Sequence, residues 1–209
     1  LFPCLLPFER MKLIFATKNS GKTRELSKAL EETEFKVESL INQRIEAAPE
    51  TGSSFLENAL IKCKSVSETT GGPTIADDSG LVVPALNGRP GVHSARYSGP
   101  EASDEENVQK LIQEIRSIPD RRAYFFCCLV FMISSDDPFP IFAQGLWKGE
   151  ILDAPVGSGG FGYDPIFYLP DYGMTAAEIP IELKSSISHR ALAIKDFLSS
   201  YLKHEENLC

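Results

Sequence analysis

Residues 73–86 read PTIADDSGLVVPAL, in which two apolar runs are separated by a pair of acids and a small polar turn. Pro73–Ala76 predicts a buried strand ending at Asp77-Asp78-Ser79-Gly80, and Leu81–Leu86 predicts the next strand. Acidic residues at the end of a strand point into a cleft more often than into a core. Because side chains alternate along a strand, only one of the two aspartates is expected to reach that cleft. Taken alone, the pair fits a solvated turn equally well.

Strand and helix patterns alternate on both sides of this stretch. Before it, the sequence predicts a short strand at Lys12–Thr17, a loop around Gly21 and a helix at Lys22–Glu32. A second strand at Phe35–Leu40 and a second helix at Phe55–Thr69 follow. After it, the sequence predicts a helix at Ala102–Ile115, a central strand at Tyr124–Ile133 and its hairpin partner at Ile141–Gly149. A glycine-rich loop at Leu152–Asp164 and an amphipathic closing helix at Ser188–Leu202 follow. No repeat or linker divides the pattern, so residues 11–209 are predicted to form a single domain.

Composition excludes two classes of partner. The 209 residues carry a formal net charge of −8, which argues against a surface built to bind a nucleic acid polymer. No apolar run approaches the roughly 18 residues that a membrane helix needs, so no membrane partner is expected. A small anionic ligand remains compatible with this charge, since a few local cations and a bound metal would hold it.

The cysteines and the first ten residues bear on location. The 5 cysteines are odd in number and lack metal-binding spacing, which predicts reduced thiols and a cytoplasmic protein. Cys127 and Cys128 lie in an apolar run and are expected to be buried structural residues. Residues 1–10, LFPCLLPFER, make a poor signal peptide and are interpreted as a short extension, either native or not, with the functional chain expected to begin at Met11.

Two segments have residue types suited to phosphate and metal. Thr17-Lys18-Asn19-Ser20-Gly21-Lys22 leaves a strand and enters a helix, so its backbone N–H groups can face an anion, although it lacks the first glycine of a Walker loop. The alternative is a plain helix-capping turn. The carboxylates best placed for a hard metal ion are Glu50, Glu57, Asp77 and Asp78. Asn58 and Lys62 share one helix face that lines the cleft or, alternatively, carries a surface salt bridge.

Three later segments suggest recognition of a nucleotide. Arg89 and Arg96 suit phosphate contacts, with structural pairing as the equal alternative. Phe161-Gly162-Tyr163-Asp164-Pro165 offers aromatic faces for a base, with core packing as the alternative for Phe161. Lys184 and Ser188-His189-Arg190 present donors to a six-position keto oxygen and would reject an amino group there, whereas capping or exposure is the ordinary explanation for such a histidine.

Six sequence blocks, in order, resemble the inosine triphosphate pyrophosphatase family of non-standard purine nucleoside triphosphate pyrophosphatases. The resemblance runs from about Met11 to Leu202. The blocks are Thr17–Lys22, Glu50-Thr51-Gly52 with Phe55–Ala59, Ala76–Leu81, Pro90-Gly91 with Ser94–Tyr97, Gly160–Pro165 and Ser188–Arg190. The resemblance implies a mixed α/β fold in which a long bent mixed sheet, flanked by helices, joins two lobes around a central nucleotide cleft. It also implies a homodimer, and hydrolysis of ITP, dITP or XTP to the monophosphate and pyrophosphate with Mg²⁺, or Mn²⁺ in its place.

The resemblance also assigns roles by position. Asp78 would be the catalytic acid-base residue and a metal ligand, with Glu50 as the second ligand and Lys62 in the catalytic set. Substrate would be bound by Thr17, Lys18, Asn19, Ser20, Gly21, Lys22 and Ser79, and the base by Phe161, Gly162, Tyr163, Asp164, Lys184, His189 and Arg190. Lys18, Pro49 and Leu183 depart from the family pattern. Two rivals remain: a Maf-like pyrophosphatase acting on modified pyrimidines, and a nucleotide-binding protein without catalysis.

Overall fold

The computed structural model describes residues 10–208. The expectations for Cys4, Cys209 and nearly all of the N-terminal extension therefore lie outside the described residues. The strands are β1 (Met11–Phe15), β2 (Phe35–Ser39), β3 (Thr74–Val82), β4 (Arg122–Met132), β5 (Ile141–Ile151), β6 (Phe167–Leu169) and β7 (Met174–Thr175). The helices are α1 (Ser20–Ala29), α2 (Phe55–Thr70), α3 (Asp104–Ile115), α4 (Ile181–Ile187) and α5 (His189–Leu208), with short 3-10 helices at Pro84–Leu86, Gly91–Arg96 and Asp164–Ile166. None of the helices in residues 10–208 has the length and apolar character to cross a membrane.

The described strands form a 7-stranded mixed sheet in the order β2-β1-β3-β4-β5-β6-β7. β1 pairs in parallel with β2 and β3, and every later pairing is antiparallel. The mixed α/β fold predicted from the sequence is confirmed, as is the hairpin of β4 and β5. These two strands have 11 residues each and are the longest of the described strands.

The hydrophobic core is divided between the two ends of the long strands. Near the start of β4, Ala123 and Phe125 belong to a cluster completed by α3, β6 and the 3-10 helices. Toward the end of β4, Leu129 and Phe131 pack under α1 and α5 on one face, while Val130 packs against α2 on the other. The sheet thus joins two packed lobes, and the cleft lies between them.

The structure corrects the reading of residues 73–86. We predicted two strands separated by an acidic turn, but Thr74–Val82 is one strand. Its pairing with β4 continues through Asp77 and Asp78, opposite Leu129 and Cys128. The strand continues because both carboxylates find partners on neighbouring elements and need not face solvent. The predicted second strand instead ends near Pro84, where a 3-10 helix begins.

Several boundaries and elements also differ from the sequence prediction. α1 begins at Ser20 because the Asn19 side chain accepts a hydrogen bond from the Lys22 N–H and caps the helix. β6, β7 and α4 were not predicted, since short elements carry little periodicity.

Ser54 caps α2 as predicted, in a capping box with Glu57. Cys63, Cys127 and Cys128 are buried free thiols, which confirms the structural interpretation of Cys127 and Cys128.

Gly145 on β5 sets how closely α5 approaches the sheet. A Cβ at this position would lie 2.5 Å from the backbone nitrogen of Ala193, and closer still to the carbonyl oxygen of His189. Both are backbone atoms of the helix, so relief would require α5 to move. The close packing of the first turn of α5 against β5 therefore requires glycine at position 145.

We predict that Gly145→Ala lowers the free energy of unfolding by about 3 kcal/mol, at the upper end of overpacking effects, because backbone must shift. Urea unfolding measures this change. The matched control is Gly72→Ala, where an added Cβ meets nothing within 4 Å. That control should leave stability unchanged or raise it by about 0.5 kcal/mol. Equal stabilities for the two variants would contradict the close approach of α5 to β5.

Candidate active site

One cleft of about 500 Å³ brings together most of the residues that the sequence singled out. The predicted site residues that line this cleft are Asn19, Ser20, Gly21, Lys22, Glu50, Asp78, Ser79, Phe161, Gly162, Tyr163, Asp164, Lys184, His189 and Arg190. Lys62 is buried behind Glu50 and Asp78. Thr17 and Lys18 are not part of this lining. The Lys18 ammonium instead pairs with Glu46 at the surface, and the Thr17 hydroxyl accepts the Asn19 N–H.

Asp78 and Glu50 converge on one ammonium group. The Lys62 Nζ lies 2.5 Å from Glu50 Oε1 and 3.9 Å from Asp78 Oδ1. Asn58, on the same face of α2, donates from Nδ2 to Asp78 Oδ2 at 2.9 Å. Residues 58 and 62 lie one helical turn apart, so a single face of α2 supplies both contacts. The predicted cleft-lining face of this helix thus supports the two acids from behind.

The two acids respond differently to this environment. Burial raises the pKa of Asp78 to about 6, and the charge of Glu50 adds to the increase against the opposing pull of Lys62. Burial also acts to raise the pKa of Glu50, but the charge and hydrogen bond of Lys62 outweigh it and the pKa lies below its ordinary value. Asp78 is therefore the carboxylate that can exchange a proton near neutral pH.

Asp77 points away from Asp78 and has a separate set of partners. Its carboxylate accepts Lys22 Nζ at 2.9 Å and Arg190 Nη2 at 3.3 Å. Burial opposes its charge, yet Lys22 and Arg190 hold the pKa of Asp77 far below its usual range. Arg190 also pairs with Glu25 at 2.5 Å and donates to the Ser79 hydroxyl at 3.1 Å. Asp77 is the aspartate that stays out of the cleft, as the strand alternation predicted.

The loop before α1 forms one side of the cleft. Asn19 caps α1 by accepting the Lys22 N–H, and Ser20, Gly21 and Lys22 of the first turn line the cleft. Gly21 lies beside the capping amide, since a Cβ there would be 3.2 Å from Asn19 Oδ1 and in ordinary contact with the Phe161 ring. A capping turn and an anion site were alternatives in the sequence; the capping turn is confirmed, and the anion site stays a prediction.

The opposite side of the cleft is built from the 161–164 loop and α4. The Phe161 and Gly162 N–H groups donate to Asp164 Oδ2 at 2.9 Å and to Asp104 Oδ2 at 2.7 Å. Lys184 pairs with Asp164 at 2.5 Å and lies 5.7 Å from the centre of the Phe161 ring. Phe161 is 46% exposed, so its ring is available to a ligand, and core packing does not explain it.

Two members of these segments have structural roles. The Tyr163 hydroxyl donates to the Ser94 carbonyl at 2.9 Å and anchors the loop to the 3-10 helix. Arg89 pairs with Glu114 at 2.9 Å, which supports the structural alternative for that guanidinium. Arg96 lines the cleft, where its Nη1 pairs with Glu50 Oε2 at 3.5 Å.

His189 lies at the start of α5 with its ring against the floor of the cleft. The imidazole is 7% exposed and stacks on Phe125 with centroids 4.9 Å apart. Burial, together with the neighbouring charges of Arg190 and Lys184, lowers the pKa of His189 well below its usual value. The ring is therefore neutral at pH 7. Its Nδ1 is buried and has no hydrogen-bond partner among the described residues.

Glu50 and Asp78 fit a hard divalent cation. Both present carboxylate oxygens to the cleft, and both lie within 4 Å of the same Lys62 ammonium. Magnesium is commonly bound by one or two carboxylates together with water and substrate phosphates. Glu57 does not belong to this set, because it accepts hydrogen bonds from Ser53 and Ser54 at the start of α2. Asp77 is likewise committed to its ion pairs.

Three residues of the site were missed from the sequence. Glu25 pairs with Arg190, Asp104 holds the Gly162 N–H, and Phe125 stacks on His189. Glu25 lies one helical turn after Lys22, which is the one signal that could have pointed to it. Asp104 resembles an ordinary first-turn acid, and Phe125 lies inside an apolar strand. Nothing local distinguishes either one.

The arrangement is suited to a ligand with an anionic end and a flat polar ring. The Asn19–Lys22 loop, Arg96 and the acids that fit a metal lie on one side. An exposed aromatic ring, a buried lysine and a neutral histidine lie on the other. Such a cleft can hold polyphosphate beside an ionisable carboxylate while reading the edge of a base.

Comparison with known proteins identifies similar chains. The Ham1 family profile matches residues 13–200. The dITP/XTP pyrophosphatase of Shigella flexneri is 47% identical over 191 residues, covering 90% of this chain and 97% of its own. That of Yersinia pestis is 48% identical with the same coverage. A HAM1 protein from Coxiella burnetii superposes with a TM-score of 0.86 at 41% identity, covering 93% of this chain and 99% of that structure.

We predict that Asp77→Asn lowers the free energy of unfolding by about 3 kcal/mol, the usual effect of removing one partner from a buried ion pair. Lys22 and Arg190 would lose the carboxylate between them. Urea unfolding at pH 7 measures this loss. The control is Asp120→Asn, which removes the exposed pair with Arg122 and should leave stability unchanged. If both variants unfold like the wild type, Asp77 does not anchor the site.

Proposed function

We propose that this chain, which belongs to the Ham1 family, hydrolyses non-standard purine nucleoside triphosphates to the monophosphate and pyrophosphate. ITP, dITP and XTP are the proposed substrates, and removal of these nucleotides from the cellular pool is the proposed role. The free thiols at Cys63, Cys127 and Cys128 support a cytoplasmic location. A homodimer is proposed with the function, and the exposed apolar side chains of Phe142 and Leu146 on β5 support a covered surface there.

One observation supports the chemistry most strongly. Asp78, with a pKa of about 6, lies beside Glu50 in the same cleft as the Asn19–Lys22 loop. A carboxylate whose pKa is close to neutral can take a proton from water and release it after the reaction. The loop supplies N–H groups and a lysine for phosphate oxygens. An acid-base group and an anion cradle are the two parts that hydrolysis of a phosphoanhydride needs.

The proposed reaction is attack of water on the α-phosphorus. Asp78 orients the water and accepts its proton, while the bond between the α-phosphorus and the bridging oxygen breaks and pyrophosphate leaves. Lys22 and Arg96 bind phosphate oxygens and balance the charge that builds on the leaving group. Lys62 stays behind the acids and holds Glu50 and Asp78 in place. When bound by Glu50 and Asp78, Mg²⁺ would supply Lewis-acid polarisation of phosphate oxygens.

The other side of the cleft accounts for base selection. Phe161 offers a face for stacking, and Lys184 and His189 present hydrogen-bond donors. A keto oxygen at the six position accepts from such donors, whereas an amino group meets them with its own hydrogens. An unpaired polar contact in a buried site carries a large penalty. Deaminated purines are therefore favoured over adenine nucleotides.

We predict that the purified protein with Mg²⁺ converts ITP and XTP at least about 100-fold more efficiently than ATP, as expected for a site that pairs a specific polar group. Chromatography of the products should show inosine monophosphate and pyrophosphate in equal amounts. Chelation by EDTA should abolish turnover. Release of orthophosphate would reject the proposed bond cleavage. Binding of ITP without turnover would favour the non-catalytic alternative, and a preference for modified pyrimidines would favour the Maf-like one.

We predict that Asp78→Asn lowers kcat for ITP by about 100-fold or more, the usual range for loss of a general base. The amide keeps the size of the side chain and its contact with Asn58. Circular dichroism checks that the fold is retained. Asp136→Asn, at an exposed position, serves as the control and should keep wild-type kcat. Wild-type turnover in folded Asp78→Asn would move the acid-base role to another residue.

A further inference from the structure

Three aromatic rings, two of which line the cleft, form a nearly parallel stack. Phe125 on β4 and Trp147 on β5 lie opposite each other in the sheet register, with centroids 6.4 Å apart and planes at 26°. The imidazole of His189 lies against both, at 16° to Phe125 and 20° to Trp147. Phe167 contacts the same two rings but is tilted by 51° and 48°. His189 therefore continues an aromatic row of the sheet.

The backbone of α5 brings His189 onto this row. Gly145 is two residues from Trp147 on β5, and its missing side chain lets the His189 carbonyl come down against the strand. Ser188 caps the helix through its hydroxyl, which accepts the Ala191 N–H at 3.3 Å. The Cα of His189 is thus held from two directions. Only rotation of the side chain remains to be fixed.

Histidines that bind ligands are usually oriented by a hydrogen bond from the second ring nitrogen to a carboxylate or carbonyl. His189 has no such contact, because its Nδ1 is buried without a partner among the described residues. The Phe125 ring is the nearest flat surface, at 4.9 Å between centroids, whereas Trp147 lies 6.4 Å away. Aromatic contact therefore replaces the missing hydrogen bond as the orienting interaction, and Phe125 supplies most of it.

We propose that Phe125 is a positioning residue for base selection, because its ring fixes the plane of His189 and thereby sets the preference of the cleft for 6-keto over 6-amino purines. This inference rests on the proposed function. With Nδ1 buried, Nε2 is the nitrogen left to face a base in the cleft. Hydrogen bonds weaken steeply when their angle is poor. A ring free to rotate would donate less well to a keto oxygen and exclude an amino group less strictly.

The test compares Phe125→Leu with Phe167→Leu, a substitution in the same aromatic cluster that leaves the His189 contact intact. In Phe125→Leu, kcat/KM for ITP should fall about tenfold, the size of one hydrogen bond, while that for ATP changes less than about threefold. Phe167→Leu should leave the ITP-to-ATP ratio at its wild-type value. An unchanged ratio in Phe125→Leu overturns the inference. An equal fall of the ITP-to-ATP ratio in both variants also overturns it, since general loosening of the core would then be the cause.

A spectroscopic measurement tests the contact without relying on turnover. The chain has 3 histidines, so comparison with His189→Gln assigns the ring resonances of His189 in a proton NMR spectrum. The wild-type ring protons should be shifted upfield by the face of Phe125, and this shift should be lost in Phe125→Leu and kept in Phe167→Leu. A retained shift in Phe125→Leu would refute the stacking role. Phe125→Met, which fills a similar volume without a flat ring, replaces the leucine variant if that variant does not fold, with the same outcomes expected.

The outcomes distinguish failure of the proposed function from failure of the positioning role of Phe125. If the wild type does not prefer ITP, the proposed function fails, while the NMR shift still reports whether Phe125 holds the imidazole. If the wild type prefers ITP and Phe125→Leu keeps that preference, the function stands and the positioning role fails.

Discussion

The structure depends on two adjacent buried carboxylates in the middle of its sheet. Asp77 and Asp78 are 1% and 5% exposed, and charges this deeply buried require partners. Because strand side chains alternate, the partners must arrive from both faces of the sheet. Lys22 from α1 and Arg190 from α5 reach Asp77, and Asn58 from α2 reaches Asp78. Three helices distant in sequence are thereby fixed to one strand.

Asp77 and Asp78 have different numbers of cationic partners, and their pKa values differ as a result. Asp77 lies between two cations and stays ionised, so it behaves as an anchor. Asp78 has a neutral amide at 2.9 Å, while its nearest ammonium, that of Lys62, is shared with Glu50 and lies 3.9 Å away. Burial therefore raises its pKa, because these partners are too weak to offset it. The pKa values of two chemically identical side chains are thus shifted in opposite directions by their neighbours.

The sequence revealed local patterns but not long-range partners. The β4–β5 hairpin, the closing helix and the Ser54 cap follow from periodicity and capping chemistry, and all were predicted. β3 was split in two, because an acid pair inside a strand resembles a turn unless its cations are known. Arg190 contacts Asp77 across 113 positions of chain, and no local pattern encodes such a pair. The contact of Phe125 with the cleft histidine was hidden for the same reason, since His189 comes from another element.

The charge of the cleft gives a reason for a metal that is independent of family resemblance. Its described lining includes the cations Lys22, Arg24, Arg96, Lys184 and Arg190, and the carboxylates Glu25, Glu50, Asp78, Asp104 and Asp164. These charges balance, and most of the cations already have an acidic partner. A triphosphate with several negative charges would therefore enter a nearly neutral site. Under the proposed function, a divalent ion beside Glu50 and Asp78 would supply positive charge for the phosphates.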